Sequence, residues 1–330
     1  MPDLPLTIAC WDYDRTRALL EERIKPDGIS LTYLNLPVEE TFFRMLRYHE
    51  FDVAEMSLSS YVLSLNGESA PFIAIPIFPS RCFRHASIYV SAKSGIRSPQ
   101  DLIGKRVGAP EYQMTASVWI RGILAEEYGV PVESVTYYTG GEESPNRSEK
   151  LALQLPPDIR VQRIGPTQTL SRMLEAGEID ALYTARAPSS FYSGGAKVQR
   201  LFEDYAAVEA AYFEKTKIFP IMHTVVIRRR LYEQNRWIAQ SLFKAFAAAQ
   251  QAAYRDLHQT AALKFMLPWL THHLEQTEAI MGWDFWTYGL QPNFRTLEKF
   301  LQYSHSQGLA ARLFRPEELF AHETFESFVI

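Results

Sequence analysis

The alternation of apolar and polar positions along the chain predicts an α/β protein. In the N-terminal part, short apolar or β-branched runs alternate with segments whose apolar residues recur at helical spacing. Such a strand–helix order favours a mostly parallel sheet covered by helices. Asp14 is the expected N-cap of the first helix. The predicted strands are Leu6–Cys10, Ile29–Leu34, Phe51–Ala54 and Phe72–Phe78, and the predicted helices are Asp14–Glu22, Pro37–Tyr48 and Ser57–Leu65.

A second α/β unit is predicted after the strand Ala86–Ala92. A polar turn, a short helix near Pro99 and a tight turn at Gly104 lead into it. Its predicted strands are Arg106–Ala109, Ser134–Tyr138, Arg160–Arg163 and Ala181–Thr184, and its predicted longer helices are Thr115–Tyr128 and Gln168–Ala176, the latter closed by Gly177.

The chain then returns through the β-branched strand His223–Arg228 and becomes helical. This order predicts that residues 94–218 form an inserted lobe 2, whereas residues 1–93 and 219–330 form a discontinuous lobe 1 with a helical C-terminal extension. A ligand cleft is expected between the two lobes. The helices predicted after the returning strand are Leu231–Leu257, Ala261–Leu267, Leu274–Trp283 and Thr296–Gln307.

Composition and charge exclude several classes of function. Among 330 residues, 34 Lys and Arg oppose 38 Asp and Glu, so the formal net charge is −4. A mildly acidic chain offers no basic field for nucleic acid or anionic lipid, and neither is an expected partner. Because 47% of the residues are hydrophobic, the chain can bury a sizeable core, which argues against a disordered protein.

Cysteine usage and targeting signals indicate a cytoplasmic protein. Cys10 and Cys82 are too few for a disulfide scaffold, and no pair has the spacing of a structural zinc site. The N-terminus lacks the basic and apolar regions of a secretory signal. No stretch approaches the roughly 18 apolar residues that cross a bilayer. We therefore expect a cytoplasmic location and no membrane partner.

Two motifs resemble passages of type II periplasmic binding proteins. Residues 94–108, SGIRSPQDLIGKRVG, are similar to the turn through which that fold enters its second lobe. Residues 175–183, EAGEIDALY, resemble the strand that carries its Gly-x-Ile-Asp-Ala pattern. The resemblance implies two lobes, each a mixed, mostly parallel sheet flanked by helices.

Six further runs are more specific: ACWDYDRTRAL at 9–19, VEETFFRML at 38–46, FDVAEMSLSSY at 51–61, FPSRCFRH at 78–85, PEYQMTA at 110–116 and LYTARAP at 182–188. Together they resemble the 4,5-dihydroxyphthalate decarboxylase family, a cytoplasmic branch of that fold. The likeness runs through most of the chain and is weakest beyond residues near 230. It implies cofactor-independent loss of CO₂ from 4,5-dihydroxyphthalate, giving protocatechuate in phthalate degradation.

Ligands of open α/β folds bind outside the carboxyl ends of the strands. The loops expected there carry arginines, whose planar guanidinium groups bind carboxylates through two parallel hydrogen bonds. Arg81 and Arg84 are the first candidates for binding a dicarboxylate, and Arg15 and Arg186 follow; solvated or ion-paired arginines are the alternative. These loops are Trp11–Arg15, Glu55–Ser59, Pro79–His85, Glu111–Thr115 and Thr184–Arg186.

Loss of CO₂ from an aryl carboxylate requires protonation of the ring carbon that carried it. His85 and His223 are the candidate proton donors, because histidine can supply a proton near pH 7. Glu111 is the alternative acid if it is desolvated. Glu55 is a candidate partner for a ring hydroxyl or an arginine. Either histidine could instead order its strand by hydrogen bonding.

Aromatic and polar residues complete the candidate substrate site. Trp11, Tyr13 and Tyr112 are placed to stack on an aromatic ligand. In the loop before the helix Thr115–Tyr128, Gln113 and Thr115 lie where backbone N–H groups can hold an anion, although Thr115 could serve only as an N-cap.

No cofactor is expected, but a divalent metal stays open. Glu55, His85, Glu111 and His223 are of the residue types that ligate metals, yet they lack the short spacing of a metal motif. The sequence alone therefore leaves metal dependence undecided.

Two classes of function compete for this pattern. A decarboxylase would act on a small aromatic dicarboxylate, whereas a solute-binding protein or a cytoplasmic sensor would bind an aromatic carboxylate without catalysis. The titratable side chains in the ligand loops favour the enzyme. The aromatic run GWDFWTY at 282–288 is consistent with a lobe contact, a contact in a homo-oligomer or ordinary helix packing.

Overall fold

Two β-sheets organise the chain, as the sequence pattern predicts. The computed structural model describes residues 2–67 and 69–325 of the protein. Within those residues the strands are β1 (Leu4–Ala9), β2 (Ile29–Leu34), β3 (Val53–Ser57), β4 (Phe72–Ile75), β5 (Ile88–Ser91), β6 (Arg106–Ala109), β7 (Thr136–Thr139), β8 (Arg160–Arg163), β9 (Ala181–Tyr183), β10 (Val198–Arg200) and β11 (His223–Arg228).

Helices connect the strands and make up most of the C-terminal part. Among the described residues, none of them has the length and apolar character that crossing a bilayer requires. The α-helices are α1 (Asp14–Leu20), α2 (Val38–Tyr48), α3 (Leu58–Ser64), α4 (Thr115–Tyr128), α5 (Leu170–Ala176), α6 (Ser189–Tyr192), α7 (Tyr205–Thr216), α8 (Arg229–Gln234), α9 (Trp237–Leu257), α10 (Leu270–Met281) and α11 (Phe294–Ser306).

The first sheet has the strand order β2-β1-β3-β11-β4. β1 pairs in parallel with β2 and β3, whereas β11 returns from a distant part of the sequence and pairs antiparallel with β3 and β4. In the β3–β11 register His223 lies opposite Ser57, and Val225 lies opposite Glu55. Because side chains alternate between the faces of a sheet, Glu55 and His223 are diagonal neighbours on one face.

That face of the first sheet packs against α1 and α9 in one apolar cluster. Val53 of β3 and Val225 of β11 belong to this cluster, together with Leu19 of α1 and Phe246 of α9. Their burial anchors both strands against the helices. The next residue on this face of β3 is Glu55, so the apolar core gives way to a polar group at the carboxyl end of the strand.

The second sheet has the strand order β10-β5-β9-β6-β7-β8. β6 pairs in parallel with β7 and β9, and β7 pairs in parallel with β8. β5 is antiparallel to β9 and β10. The loops after β6, β7 and β9 therefore leave the sheet at the same edge. Both sheets are mixed and flanked by helices, which confirms the predicted fold class.

The chain divides into two compact units. The first combines the N-terminal part up to Arg81 with Ile221–Glu298 and the residues from Phe314 on. The second combines Cys82–Pro220 with Lys299–Leu313. The predicted division placed residues 82–93 and 299–313 in lobe 1, whereas the structure groups both segments with the second unit.

The segment 299–313 joins the second unit because its aromatic side chains pack on α4. The Trp119 ring meets the Phe300 and Tyr303 rings at centroid distances of 5.4 and 5.7 Å. Gly122 makes this approach feasible, since a Cβ atom there would collide with the Tyr303 ring. A sequence-based boundary at a single crossover cannot detect a packing partner so far away in the chain.

Several predicted element boundaries are wrong. The N-cap of α1 is Tyr13 rather than Asp14, because the Tyr13 backbone is extended while its carbonyl already accepts from the Arg17 N–H at 2.9 Å. The helix predicted over Leu231–Leu257 is interrupted at Asn235, whose backbone (φ −144°, ψ 59°) is not helical. The helix predicted over Ala261–Leu267 is absent from the described structure, and proline follows it at 268. The sequence pattern does not predict α6, α7 or β10.

Candidate active site

A buried carboxylate lies in β3 of the first unit. Glu55 is fully buried, and its Oε1 accepts hydrogen bonds from Tyr13 Oη at 2.7 Å and His223 Nδ1 at 2.6 Å. Its Oε2 accepts from the Trp11 backbone N–H at 3.1 Å and from Cys10 Sγ at 3.5 Å. Burial acts to raise the pKa of Glu55, but these hydrogen bonds and the charge of His223 outweigh it and hold the pKa below its usual value. Glu55 is therefore an ionised acceptor at neutral pH.

His223, the first residue of β11, is oriented by this carboxylate. Because an ionised carboxylate only accepts hydrogen bonds, Nδ1 of His223 carries the hydrogen in the pair. The imidazole also meets the Phe42 ring edge-on, with 4.9 Å between the ring centroids. The side chain keeps 17% of its surface exposed, and no described residue hydrogen-bonds to Nε2. Nε2 is thus the nitrogen that can meet a ligand.

The other groups around Glu55 stay protonated. Burial raises the pKa of the Cys10 thiol, and the charge of Glu55 raises it further. Burial and Glu55 likewise raise the pKa of Tyr13, so its hydroxyl remains a donor. Cys10 is therefore not a thiolate nucleophile. The Trp11 side chain is 41% exposed beside this network, where it can stack on a ligand.

Arg15 extends the network from Tyr13. Its guanidinium lies over the Tyr13 ring at 4.2 Å and over the Trp286 ring at 4.1 Å. Nε donates to the Pro79 carbonyl at 2.6 Å, and Nη1 pairs with Asp14 Oδ1 at 2.9 Å. No acceptor among the described residues meets Nη2. Arg15 therefore combines a fixed plane with a donor that can bind a carboxylate.

Arg81, a first candidate for binding the dicarboxylate, holds a neighbouring turn instead. Its Nη2 donates to the Thr287 carbonyl at 3.0 Å and to Asn293 Oδ1. Burial lowers the pKa of Arg81 to about 9, so the group stays charged at neutral pH. The structure thus places Arg81 as a structural anchor of the segment that follows α10.

In the second unit, Glu111 is held by two cations. Its Oε1 accepts hydrogen bonds from Arg147 Nη2 at 2.6 Å and from Lys150 Nζ at 2.5 Å. Both cations lie in the loop-rich stretch after β7, and sequence reasoning missed them because nothing in their spacing links them to Glu111. Both contacts use the carboxylate as a hydrogen-bond acceptor. The structure gives no support to Glu111 as the general acid.

Tyr112 and Gln113 are parts of the second unit's interior. Tyr112 has no exposed surface, its hydroxyl donates to the Gln307 carbonyl at 3.2 Å, and the Arg121 guanidinium covers its ring at 3.8 Å. When the Gln113 amide is oriented so that its oxygen faces donors, Oε1 accepts from the backbone N–H groups of Lys150 and Leu151 at 3.1 and 3.0 Å. These positions give no support to Tyr112 as a stacking surface for substrate in this conformation.

The expectation that Thr115 is an N-cap differs from the structure. Met114 occupies the N-cap position of α4, and Thr115 is the first helical residue and is buried. Its place in the first turn keeps it among the backbone N–H groups of the helix start.

Arg186 lies in the loop after β9, and Arg84 contacts this loop. Arg84 is buried, its Nη1 donates to the Ala185 carbonyl at 3.3 Å, and burial lowers its pKa. Arg186 is exposed. In the same loop Thr184 Oγ1 donates to Glu142 Oε2 at 2.5 Å, and burial raises the pKa of Glu142 to about 7. Sequence reasoning missed Glu142, because only tertiary packing buries it against Thr184.

His85 occupies an aromatic cage rather than a polar site. Its ring faces the Tyr212 and Phe202 rings at centroid distances of 5.2 and 5.3 Å, with Tyr128 at 6.1 Å. Only 1% of His85 is exposed, and neither ring nitrogen has a hydrogen-bond partner among the described residues. Burial lowers the pKa of His85 to about 4. His85 is therefore neutral at pH 7, and the structure gives no support to it as a proton donor.

We expect His85→Phe to remove part of the protein's acid sensitivity. Burial holds the folded-state pKa of His85 at about 4, below the ordinary histidine value of about 6.5, so its neutral form supports the fold above pH 6.5 and this support is lost as the pH falls through 4. Between these values the parent should lose on the order of 3 kcal/mol from this group, whereas the phenylalanine variant should not. Urea unfolding at pH 7.5 and 4.5 measures the difference.

The matched control for this stability measurement is His272→Gln, since His272 is exposed on α10. It should leave the pH dependence of the unfolding free energy as in the parent. A His85→Phe variant that loses stability with falling pH as steeply as the parent would contradict the cage interpretation.

No group of three or more His, Cys, Asp or Glu side chains suited to a metal ion occurs among residues 2–67 and 69–325. The two oxygens of Glu55 already receive four hydrogen bonds from the protein. A cation at Glu55 would have to displace at least one of these donors.

Comparison with known proteins identifies the family. Over 330 residues, and over the full length of both chains, the sequence is 43% identical to a 4,5-dihydroxyphthalate decarboxylase of Comamonas testosteroni. It is also 45% identical over 204 residues to a protein of the same name from Pseudomonas putida, covering 62% of this chain and 79% of the relative. The chain belongs to the 4,5-dihydroxyphthalate decarboxylase family. This confirms the resemblance seen in the sequence runs, although no protein-family profile matches the chain.

Solved structures confirm the periplasmic-binding-protein fold of this decarboxylase family member. The periplasmic aliphatic sulphonate-binding protein of Escherichia coli superposes with a TM-score of 0.53 at 13% identity, over 98% of this chain and 99% of that chain. A periplasmic sulfonate-binding protein of Methylobacillus flagellatus superposes with a TM-score of 0.55 at 13% identity, over 97% and 92%. At these identities the likeness concerns the fold alone.

The decarboxylase family's sequence runs contain part of the Glu55 network. Trp11, Tyr13 and Arg15 come from one run and Glu55 from another, whereas His223 and Trp286 lie outside all six. The returning strand β11 brings His223 to Glu55, whereas His85 lies among aromatic rings. Trp286 was missed as a site residue, because its signal, an aromatic run, equally fits ordinary packing.

Proposed function

We propose that this chain catalyses the non-oxidative decarboxylation of 4,5-dihydroxyphthalate to protocatechuate. The observation that carries the proposal is the pairing of buried Glu55 with His223 Nδ1, which leaves Nε2 for a substrate. The full-length identity of 43% to a 4,5-dihydroxyphthalate decarboxylase supports the choice of substrate. Arg15 supplies the fixed cation that an aromatic dicarboxylate needs.

In the proposed reaction, His223 carries protons on both ring nitrogens when the substrate binds. Its Nε2–H delivers a proton to the ring carbon that bears the departing carboxylate. The bond from that carbon to the carboxylate then breaks, its electron pair returns to the ring, and CO₂ leaves. Each carboxyl of the substrate has a hydroxyl para to it, which stabilises the positive charge that protonation of the carbon places on the ring. His223 regains its proton from water.

Glu55 and Arg15 have separate roles in this scheme. Glu55 holds His223 in one orientation and stabilises the imidazolium form through the Nδ1 hydrogen bond. Arg15 binds the carboxylate that is retained, so the departing one faces His223. The exposed Trp11 side chain provides an apolar surface for the substrate ring.

The proposal includes catalysis without a cofactor or a metal, in the cytoplasm. The four hydrogen bonds on Glu55 support the metal-free part of this proposal, because they satisfy the carboxylate without a cation. Proton delivery by an oriented histidine supplies the chemistry that the reaction needs. The location is tested by fractionating cells and following the protein with an antibody.

The test of function is to incubate EDTA-treated protein with 4,5-dihydroxyphthalate and to follow protocatechuate by HPLC. We expect many turnovers per protein molecule, and in D₂O we expect one deuterium at the ring carbon that lost CO₂. Product that forms only after a divalent metal is added would overturn the metal-free mechanism. A melting-temperature shift without product, with or without metal, would instead support a binding protein or sensor for an aromatic carboxylate.

A further inference from the structure

Trp286 is fixed by hydrogen bonds from both its backbone and its side chain. Its backbone N–H donates to Tyr254 Oη at 2.9 Å, and its carbonyl accepts from Gln250 Nε2, both on α9. Its indole Nε1 donates to the Phe78 carbonyl at 2.9 Å. Backbone and ring are thus tied to two different parts of the first unit, and this fixes the plane of the indole.

Arg15 is tied to the same segment as the indole. Arg15 Nε donates to the carbonyl of Pro79, the residue next to Phe78, at 2.6 Å. The carbonyls of Phe78 and Pro79, which are consecutive in the chain, therefore hold the indole and the guanidinium next to each other. The guanidinium carbon lies over the indole, 4.1 Å from the ring centroid. Tyr13 stacks on the guanidinium as well, at 4.2 Å.

This stack limits the conformations of a long side chain. Ordering a free arginine side chain costs rotamer entropy. A guanidinium that already lies over two rings has met most of this cost before a ligand arrives. A cavity of about 120 Å³ lies beside the stack, lined by Arg15, Trp286, Ala253 and Leu257 among others. Without the indole, Arg15 could turn into the enlarged space.

We infer that Trp286 is a positioning residue for the carboxylate anchor Arg15. The inference rests on the role that the proposed function gives to Arg15. Trp286 fixes the orientation of the Arg15 guanidinium. Loss of the indole therefore weakens the binding of the carboxylate and leaves proton transfer from His223 largely intact.

A double-mutant cycle tests this inference. The variants are Arg15→Ala, Trp286→Leu and the two combined, with Trp286→Phe as the conservative replacement. Trp283→Leu is the matched control, because Trp283 belongs to the same aromatic run, is 59% exposed and stacks on His258 at 4.0 Å. Calorimetry gives the Kd of phthalate, and steady-state assays give KM and kcat for 4,5-dihydroxyphthalate.

We expect Arg15→Ala to raise Kd and KM by about tenfold and Trp286→Leu by about fivefold, with kcat of the Trp286 variant within about threefold of the parent. The double variant should bind phthalate no more weakly than Arg15→Ala, because Trp286 has nothing left to position. Trp286→Phe should recover most of the affinity, and Trp283→Leu should match the parent in Kd and KM.

Additive effects of Arg15→Ala and Trp286→Leu, or equal effects of the Trp283 and Trp286 variants, would overturn the inference. Unchanged Kd and KM in Arg15→Ala would overturn it together with the anchoring role of Arg15. A parent that binds phthalate and shows a non-additive cycle but releases no protocatechuate would support the inference and overturn the decarboxylase assignment. Normal turnover with an additive cycle would support the decarboxylase assignment and overturn the inference about Trp286.

Discussion

His223→Gln is expected to lower kcat for 4,5-dihydroxyphthalate by about 10²–10⁴-fold, the usual contribution of a positioned acid or base. Glutamine keeps a polar, uncharged side chain at the start of β11 but cannot donate a proton as an imidazolium does. Because 17% of the His223 side chain is exposed, the fold should tolerate the change. HPLC of protocatechuate measures turnover, and calorimetry with phthalate should give a Kd within about threefold of the parent.

The comparison variant for this experiment is His85→Phe, which removes the other candidate histidine. Its aromatic surroundings accept a phenyl ring, and kcat should stay close to that of the parent. Full turnover in His223→Gln, or its loss in His85→Phe with a folded protein, would reassign the proton donor. A large rise in the Kd of phthalate in His223→Gln would show that this residue binds rather than protonates.

Glu55→Gln is expected to lower kcat by about 10²-fold or more while preserving the volume of the side chain. Oε1 of Glu55 now receives both Tyr13 Oη and His223 Nδ1, and an amide can offer acceptors on only one of its two ends. His223 then loses either its orientation or the negative charge that stabilises its protonated form. The rate of protocatechuate formation at saturating substrate measures the effect.

Glu55→Gln should also change how the unfolding free energy depends on pH. The folded-state pKa of Glu55 lies below its usual value, so its contribution to stability is complete above about pH 4.3, the ordinary glutamate value, and is lost as the pH falls through the folded-state pKa. At pH 7 we expect Glu55→Gln to cost about 1–3 kcal/mol of unfolding free energy. Parent and variant should converge in acid.

Glu111→Gln is the matched control for the Glu55 experiment, since Glu111 is a second buried glutamate held by charge-assisted hydrogen bonds. Its hydrogen-bond partners are Arg147 and Lys150, whereas Glu55 pairs with His223, so kcat should fall far less than in Glu55→Gln. If Glu111→Gln abolished turnover and Glu55→Gln did not, the acid would be Glu111 and the proposed mechanism would be wrong.

The proposed chemistry uses a fold that solved relatives employ for binding. The superposed sulphonate-binding proteins share the arrangement of sheets but only 13% of the sequence. The proposed decarboxylation requires an oriented acid beside a bound aryl carboxylate. In the proposed mechanism the Glu55–His223 pair supplies this acid, and Arg15 anchors the retained carboxylate.

The sequence by itself determined the elements and the chemical inventory. Short apolar and β-branched runs located β1 to β3 and β11, since such residues favour a buried sheet. Local runs were specific enough to place the chain in its family, and strand ends pointed to the loops that carry Arg15 and Glu55. These features depend on neighbouring residues, which is why they could be predicted.

Only the tertiary structure decided which of these residues act together. It paired Glu55 with His223 across 168 positions and placed Trp286 on Arg15. It also enclosed His85 in aromatic rings and bound Glu111 to two cations, and these surroundings give no support to either as the proton donor. Burial, hydrogen-bond partners and protonation are set by distances through space, and spacing along the chain does not encode them.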